Sequence, residues 1–263
     1  MHIAVLVKQV PDSEATVQVK ADGSGVEIED RYTLNFFDSL AVEEALRIKG
    51  QGGDVVVTII TLGGQKGVEA LRTGLAMGAD QAVLLDDPAF AGGDEYATAM
   101  VLAAALKGMQ VDMILCGKEA FDDSSGVVGP LVAEFLSMPS VTSVVKIQLA
   151  PDKGSALIER EIEGGKEVIK VSLPVLLSAQ KGLNEARVPP VMGVMKAMRA
   201  EIKKLDLAAI GLPATVVGRA GSKEEILRYH RHAQRPAVTM LQGEAADIVR
   251  QVVGLLKEEA KVI

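Results

Sequence analysis

The chain has 263 residues and a formal net charge of −7, and its length fits one large α/β domain or one domain with a small appendage. This acidic balance argues against nucleic acid as a partner, because general nucleic-acid binding needs basic side chains that neutralise phosphates. Hydrophobic residues make up 48% of the chain but aromatic residues only 3%, so an aliphatic core of parallel strands covered by helices is expected.

The amino-terminal stretch MHIAVLVKQV is too short and too strand-like for a signal peptide. No apolar stretch approaches the roughly 18 residues needed to cross a bilayer. Cys116 is the single cysteine, which excludes an intrachain disulfide and a cysteine-based metal site, and we interpret it as a core residue. A soluble cytoplasmic protein is therefore expected.

Aliphatic runs alternate with segments of helical period along most of the chain. The runs typical of buried parallel strands are residues 2–7, 55–62, 82–85, 113–116 and 175–179. The helices predicted among them are residues 39–49, 66–77, 94–107 and 127–136. This alternation predicts an α/β fold with a doubly wound, mostly parallel, Rossmann-like sheet and right-handed crossovers.

Two insertions alternate polar and apolar residues and therefore predict antiparallel hairpins. Residues 17–30 surround the turn signal Asp22-Gly23. Residues 144–174 contain three alternating strands with turns at residues 152–154 and 164–165. An antiparallel hairpin edge on the parallel sheet is therefore expected.

The loop after the strand at residues 113–116 is rich in small and acidic residues, and its position is one where open α/β sheets bind ligands. The Ser124 hydroxyl suits a phosphate, whereas Asp122 and Asp123 suit ribose hydroxyls or an adenine amine. Gly129 leaves room for close approach. The amides expected to face an anion are those of Ser125, Gly126, Val127 and Val128. The alternative is that an Asp or Ser side chain merely caps the helix.

Three further strand ends lead into predicted helices, at residues 61–67 (TLGGQKG), at residues 90–98 (FAGGDEYAT) and at Asn35. None of these loops contains the GxxxxGK[ST] or GxGxxG pattern. With the loop described above they make four such places in one sheet, which favours a mononucleotide crevice that does not hydrolyse its ligand.

Catalytic machinery is not indicated. His230 and His232 lie in a charged stretch with Arg228, Arg231 and Arg235, which we interpret as a solvated or subunit-facing surface. We find no nucleophile–base arrangement and no metal-ligand spacing, so no catalytic residue and no metal site is predicted. A nucleotide crevice without chemistry beside it is typical of a binding or carrier protein.

Motifs along nearly the whole chain together resemble the β subunit of electron transfer flavoproteins. The matching segments are residues 7–13 (VKQVPDS), 35–49 (NFFDSLAVEEALRIK), 74–80 (GLAMGAD), 117–130 (GKEAFDDSSGVVGP), 159–179 (EREIEGGKEVIKVSLPVLLSA) and 182–197 (GLNEARVPPVMGVMKA). Each motif alone is weak, but their order and spacing are specific. The resemblance implies a heterodimer with an α subunit that holds the electron-carrying FAD.

The resemblance also implies site residues and partners. The implied nucleotide contacts are Leu6, Asn35, Phe36, Phe37, Asp38, Leu62, Asp122, Asp123, Ser124, Ser125, Gly126, Val127, Val128, Gly129, Pro130, Leu131, Val132 and Ala133. The implied recognition loop is residues 176–198, and its docking residues are Leu183, Asn184, Glu185 and Arg187. Leu183 is expected to be an exposed anchor, the alternative being a leucine folded into the core. The implied partners are flavin dehydrogenases of the acyl-CoA dehydrogenase type and a membrane-associated quinone oxidoreductase.

The pocket ligand stays open between AMP, as in single-flavin members, and a second FAD, as in electron-bifurcating members. Residues 127–130 and 90–98 and the long tail resemble the bifurcating branch. Residues 123–125 (DSS) differ from the Gly-Asp-Thr of that branch, and residues 35–36 (NF) differ from its Asn-Pro. If FAD is the ligand, Lys8 and the adjoining glutamine, Gln9, are hypothetical neighbours of its ring.

After Pro190 the chain is Met-rich and charged, with too little apolar content for a core of its own. We therefore predict a nucleotide-binding α/β domain, residues 1–190, and a C-terminal arm, residues 191–263, that packs on the partner subunit.

Two alternatives remain. An adenine-nucleotide hydrolase-like enzyme would share this adenine nucleotide α-hydrolase-like topology, but it needs an SGGxDS-like loop where residues 8–12 read KQVPD. A stand-alone nucleotide-binding regulator would be stable as a monomer.

Overall fold

The computed structural model describes residues 1–231, 233 and 237–263. Its strands are β1 (His2–Leu6), β2 (Gln9–Pro11), β3 (Val17–Val19), β4 (Val26–Ile28), β5 (Tyr32–Leu34), β6 (Val56–Leu62), β7 (Gln81–Leu85), β8 (Met113–Gly117), β9 (Ser140–Leu149), β10 (Ser155–Ile162), β11 (Gly165–Ser172), β12 (Val175–Ala179) and β13 (Lys203–Leu205). Its helices are α1 (Phe36–Gly50), α2 (Gly67–Met77), α3 (Glu95–Lys107), α4 (Val128–Phe135), α5 (Val191–Arg199), α6 (Leu207–Ile210), α7 (Gly218–Gly221) and α8 (Ala245–Glu258).

A nine-stranded sheet has the order β11-β10-β9-β12-β8-β1-β6-β7-β13. Every pairing from β9 to β13 in this order is parallel. Strand β10 pairs antiparallel with β9 and β11 at one edge. The predicted doubly wound, mostly parallel sheet with an antiparallel hairpin edge is therefore confirmed.

Alternation along the strands builds two hydrophobic cores. In β1, Ile3 and Val5 point into one cluster, and Ala4 and Leu6 point into the other, because successive side chains of a strand face opposite sides of the sheet. Residues of α1 and α2 belong to the first cluster, and residues of α3 and α4 to the second. Strands buried on both faces explain the continuous aliphatic runs of the sequence.

Helix α1 begins at Phe36, three residues before the start that the pattern predicts at residue 39. Ser39 does not act as the cap, because its hydroxyl donates a hydrogen bond to the Phe36 carbonyl, 2.6 Å away and already inside the helix. The earlier start brings Asp38 into the first turn, where it faces the ends of the strands.

Residues after Pro190 contact the domain itself in part. Helix α5 packs on α2, where the Arg72 guanidinium donates hydrogen bonds to the carbonyls of Ala197 and Ala200. Strand β13 extends the sheet beside β7. Helix α8 instead leaves apolar side chains such as Val249 exposed. The division at residue 190 and the packing of an arm on a partner subunit stay predictions.

The charged stretch near residue 230 is only partly described. His230 is exposed, whereas His232 and Arg235 lie outside the described residues. Within the described part of the chain, no helix combines the length and the apolar character that a membrane span requires.

Candidate functional site

A cavity of ≈ 1020 Å³ opens at the carboxyl ends of β1, β6 and β8. From β1 the chain passes through α1 to β6 on one side, while β8 lies on the other side of β1. This reversal is the topological switch point at which open α/β sheets bind ligands. Each of the four predicted strand-end regions contributes to the lining, through Asn35, Leu62, Gly93 and Gly126 respectively.

The predicted nucleotide-contact residues divide into two groups. Those that line the cavity are Leu6, Asn35, Asp38, Leu62, Asp123, Ser125, Gly126, Val128 and Gly129. Those that are not part of the lining are Phe36, Phe37, Asp122, Ser124, Val127, Pro130, Leu131, Val132 and Ala133. Val132 and Ala133 are 0% and 1% exposed, because they lie on the face of α4 that packs on the sheet. Nucleotide contact by either group stays a prediction.

The start of α4 has no side-chain cap, in contrast to the capping alternative considered from the sequence. Its N-cap residue is Val127, which makes no side-chain capping hydrogen bond. Asp123 accepts the Ser125 amide instead, at 2.9 Å, so this amide is not available to an anion as expected. The positive φ of Gly126, 66°, favours glycine and turns the chain into the helix. The amides of Val128 and Gly129 begin the helix and so lack intrahelical acceptors.

Lys8 bridges the two acidic residues of this loop. Its Nζ atom lies 2.8 Å from Asp122 Oδ1 and 2.7 Å from Asp123 Oδ2. Partial burial alone would lower the pKa of Lys8, but the hydrogen bonds and charges of the two carboxylates raise it. Burial alone would raise the pKa of Asp123, but Lys8 and the Ser125 amide lower it. Gln9 does not accompany Lys8 in the lining, since its Nε2 donates to Glu69 at 3.0 Å.

Asp38 joins the ends of β1 and β8 beneath the cavity. It is 6% exposed, and its carboxylate accepts the amides of Lys8 and Gly117, each at 2.8 Å. Burial raises the pKa of Asp38 to about 7, although these amide hydrogen bonds favour the ionised form. Gly117 is needed for this approach, because a Cβ atom there would lie 2.5 Å from Asp38 Oδ1.

Asn35 holds the loop that follows β8. It is 1% exposed, its Nδ2 donates to the Glu119 carbonyl at 2.9 Å, and its Oδ1 accepts the Phe121 amide at 3.1 Å. Asn35 therefore connects the start of α1 to the predicted nucleotide loop, and it also lines the cavity.

Two of the predicted docking residues, Asn184 and Arg187, contact α1. Leu183 is 9% exposed and belongs to the main core cluster, so the exposed position expected for it is wrong. Gly182, with φ 100°, turns the chain, and the Leu183 amide donates to the Gln180 carbonyl at 3.1 Å. This turn folds the leucine inward. Its docking role stays a prediction.

Two side chains fasten the rest of this loop to acidic residues of α1. Asn184 Nδ2 donates to Glu44 Oε2 at 2.8 Å. Arg187 and Glu43 form a bidentate pair, with 2.7 Å from Nε to Oε2 and 3.0 Å from Nη2 to Oε1. Burial raises the pKa of Glu44, opposed by its hydrogen bond from Asn184. The fourth docking residue, Glu185, is exposed.

Sequence reasoning did not name two features of the site. Within the predicted recognition loop at residues 176–198, four apolar side chains are 71–88% exposed, and we call them the Met/Val surface: Val188, Val191, Met192 and Met198. Several residues between 219 and 229 line the outer side of the cavity, although the sequence presents this segment only as a charged stretch. No local signal identifies the second feature, because its neighbours at the cavity are distant in sequence.

The sheet order and the cavity at the switch point define the chain as an α/β domain with a cavity where folds of this class bind ligands. The model of the electron transfer flavoprotein domain matches residues 25–210. The chain therefore belongs to the electron transfer flavoprotein family, as a β subunit, and the resemblance predicted from its motifs is confirmed.

Full-length relatives support this assignment. The chain is 36% identical over 272 residues to the electron transfer flavoprotein subunit beta of Bacillus subtilis (strain 168), with 100% of both chains covered. It is 38% identical over 254 residues to the subunit of the same name in Megasphaera elsdenii, covering 93% of this chain and 92% of the relative. It is also 38% identical over 264 residues to the caffeyl-CoA reductase-Etf complex subunit CarD of Acetobacterium woodii, covering 98% and 99%.

Proposed function

We propose that this chain forms a heterodimer with an electron transfer flavoprotein α subunit, holds FAD in the cavity at the switch point, and docks flavin dehydrogenases. Membership in the β-subunit family supports a general role of this chain in flavin-based electron transfer. The observation that carries the nucleotide assignment is the cavity itself, where a helix start and Lys8 meet at the ends of the central strands.

The chemistry of the cavity fits a dinucleotide. The amides that begin α4 favour phosphate groups, and Lys8 offsets part of the negative charge of Asp122 and Asp123 beside them. Leu6, Leu62 and Leu102 supply an apolar wall for a ring system. The volume of ≈ 1020 Å³ lies at the upper limit of small-molecule pockets, roughly 300–1,000 Å³, and this favours FAD over the smaller AMP. When bound, FAD would supply the redox chemistry, and these residues would bind and orient it.

The docking proposal rests on residues 176–198. The Met/Val surface supplies exposed apolar area next to the loop that Asn184 and Arg187 fasten to α1. One relative is named as a subunit of a caffeyl-CoA reductase complex, which supports a flavin dehydrogenase of the acyl-CoA type as a docking partner here. A membrane-associated quinone oxidoreductase as acceptor, and a cytoplasmic location, complete the proposal.

The test is to co-purify the chain with its α partner, denature the complex and identify the released nucleotides by chromatography. Two FAD per heterodimer are expected. One FAD with one AMP would replace FAD by AMP as the pocket ligand, and one FAD alone would overturn the nucleotide assignment.

A variant ties the second nucleotide to this cavity. Gly126→Ala should release it while the FAD of the α subunit is retained, because φ is 66° and a Cβ would lie 3.2 Å from the Lys118 carbonyl. Gly211→Ala is the matched control, since φ there is 69° and no atom lies within 4 Å of the added Cβ. Equal nucleotide content in both variants would contradict the assignment.

A further inference from the structure

Residues 218–229, which we call the strap, cross the open side of the cavity. They begin with the short helix α7 and continue without regular structure. The strap residues that line the cavity are Arg219, Ser222, Lys223, Glu224, Glu225, Ile226 and Tyr229. The cavity is therefore bounded on one side by strand ends and on the other by a segment far away in the sequence.

The strap is attached on the α3 side of the cavity by Asp94. The Asp94 carboxylate accepts the amides of Lys223 and Glu224, the second at 3.0 Å, and the Asp94 amide donates to Ser222 Oγ at 3.0 Å. The start of the strap approaches the chain closely just before Asp94 because residue 93 is a glycine. A Cβ atom on Gly93 would lie 3.1 Å from the Gly218 Cα atom. The amide hydrogen bonds lower the pKa of Asp94, which burial alone would raise.

The strap is attached on the other side by the hairpin of β3 and β4. The Tyr229 amide donates to the Gly23 carbonyl at 2.9 Å, and Gly23 lies in the turn of that hairpin. Ser24 of the same turn also lines the cavity. Backbone hydrogen bonds thus fasten the strap at both sides of the opening, independently of its exposed side chains.

Tyr229 gives this segment a specific chemistry. It is half-buried, and it is the one aromatic residue among the described residues that line the cavity. Aromatic side chains stack on nucleobases and other planar heterocycles regardless of their hydrogen-bonding pattern. The other large apolar side chains that line the cavity, such as Leu6 and Leu62, are aliphatic.

We propose that the strap is a wall of the nucleotide site and that Tyr229 contacts the heterocyclic ring of the bound nucleotide. This inference rests on the proposed nucleotide-binding function and adds a binding residue from outside the strand-end loops. Asp94 and Gly23 position the strap, and Tyr229 supplies the contact.

The experiment compares the natural αβ complex with complexes carrying Tyr229→Ala, Tyr229→Phe or Leu227→Ala. The pocket is stripped of nucleotide and titrated with AMP and with FAD in separate arms, and Kd is measured by calorimetry. Tyr229→Ala should weaken binding about tenfold, the scale of one aromatic–base stack. Tyr229→Phe retains the ring and should bind like the natural complex. Leu227 is 88% exposed and outside the lining, so Leu227→Ala is the control.

A second readout reports on the strap itself. Amide hydrogen exchange of residues 223–229 should slow when the nucleotide binds to the natural complex, and less so in Tyr229→Ala. Unchanged Kd values for Tyr229→Ala, with Gly126→Ala impaired, would overturn the strap inference alone. No binding of either nucleotide to the natural complex would overturn the proposed function together with this inference.

Discussion

Helix α1 carries buried carboxylates in two regions that the protein uses differently. In its first turn, Asp38 accepts two backbone amides from the ends of β1 and β8. Further along, Glu43 accepts the Arg187 guanidinium and Glu44 accepts the Asn184 amide group. The first region joins main chain of the sheet, whereas the second holds side chains of the docking loop.

Helix α1 therefore supports a rigid region at its start and, further along, a region whose side-chain contacts can open. Asp38 accepts the amides of Gly117, the last residue of β8, and of Lys8, two residues after β1, so both amides are held by the sheet. The Arg187 side chain is 44% exposed, so water reaches its contact with Glu43. Regions of a protein with few buried contacts open locally at a lower free energy than its core does. The loop at residues 183–187 is therefore expected to open at a lower free energy than the base of the cavity around Asp38.

The largest expected effect concerns the pH dependence of stability. The pKa of Asp38 is raised to about 7 by burial, so the folded protein binds this proton more tightly than the unfolded chain. The stabilising contribution is complete below the unfolded pKa near 4 and is lost as the pH rises to about 7. Relative to Asp38→Asn, the free energy of unfolding of the natural protein should fall by up to about 4 kcal/mol between about pH 4 and pH 8. Urea denaturation across this pH range measures it.

The pKa of Asp87 is shifted in the opposite direction to that of Asp38, so its effect on the free energy of unfolding has the opposite pH dependence. Its pKa is lowered by the amides of Ala89 and Leu207, so its contribution is present above the unfolded pKa and is lost as the pH falls. A pH profile of Asp38→Asn parallel to that of the natural protein would contradict the role given to Asp38.

The next effect concerns the close approach of α1 to β8. Gly117→Ala places a Cβ atom 2.5 Å from Asp38 Oδ1 and 2.9 Å from the Phe37 carbonyl carbon. The free energy of unfolding should fall by about 2 kcal/mol, as in other overpacked sites. Gly50→Ala is the control, because a Cβ there meets no atom within 4 Å. Chemical denaturation of the two variants side by side gives the difference, and equal stabilities would show that the cavity base tolerates displacement.

A smaller effect is expected in the second region. Arg187→Ala leaves Glu43 buried without its guanidinium, but the half-exposed position of Arg187 limits the loss to about 1 kcal/mol. Amide exchange near residues 183–187 should accelerate, and the KM for a dehydrogenase partner should rise without loss of bound nucleotide. Arg31→Ala, which removes a similarly exposed arginine that pairs with Glu14, is the matched control. Loss of nucleotide from Arg187→Ala would show that the two regions are coupled.

The smallest effect on stability is expected for Lys8→Met. Lys8 is 43% exposed, and exposed ion pairs contribute about 0–1 kcal/mol. The melting temperature should therefore change little, as for Lys204→Met, which removes the exposed pair with Asp86. Nucleotide affinity should fall only in Lys8→Met, and this is measured by titration of the stripped complex. A large loss of stability would mean that Lys8 holds the loop rather than serving the cavity.

The sequence predicts the central sheet well because buried parallel strands leave a local signature. The five predicted strands agree with the structure to within one residue at each boundary. The start of α1 is predicted three residues late, because the helical spacing of apolar residues begins only at Leu40, whereas the structure begins the helix at Phe36. The exposure predicted for Leu183 is wrong because this leucine packs into a core cluster built by residues that are distant in the sequence.

Residue types and their order along the chain determined the family, the doubly wound sheet and the strand-end loops around Asn35, Leu62, Gly93 and Gly126. These features follow from periodicity and turn chemistry, which act over a few residues. Tertiary structure alone decided that Asp38 accepts the amides of Lys8 and Gly117, that Lys8 meets Asp122 and Asp123, and that the strap crosses the cavity. Each of these contacts joins segments that are distant in the sequence, so no local pattern encodes them.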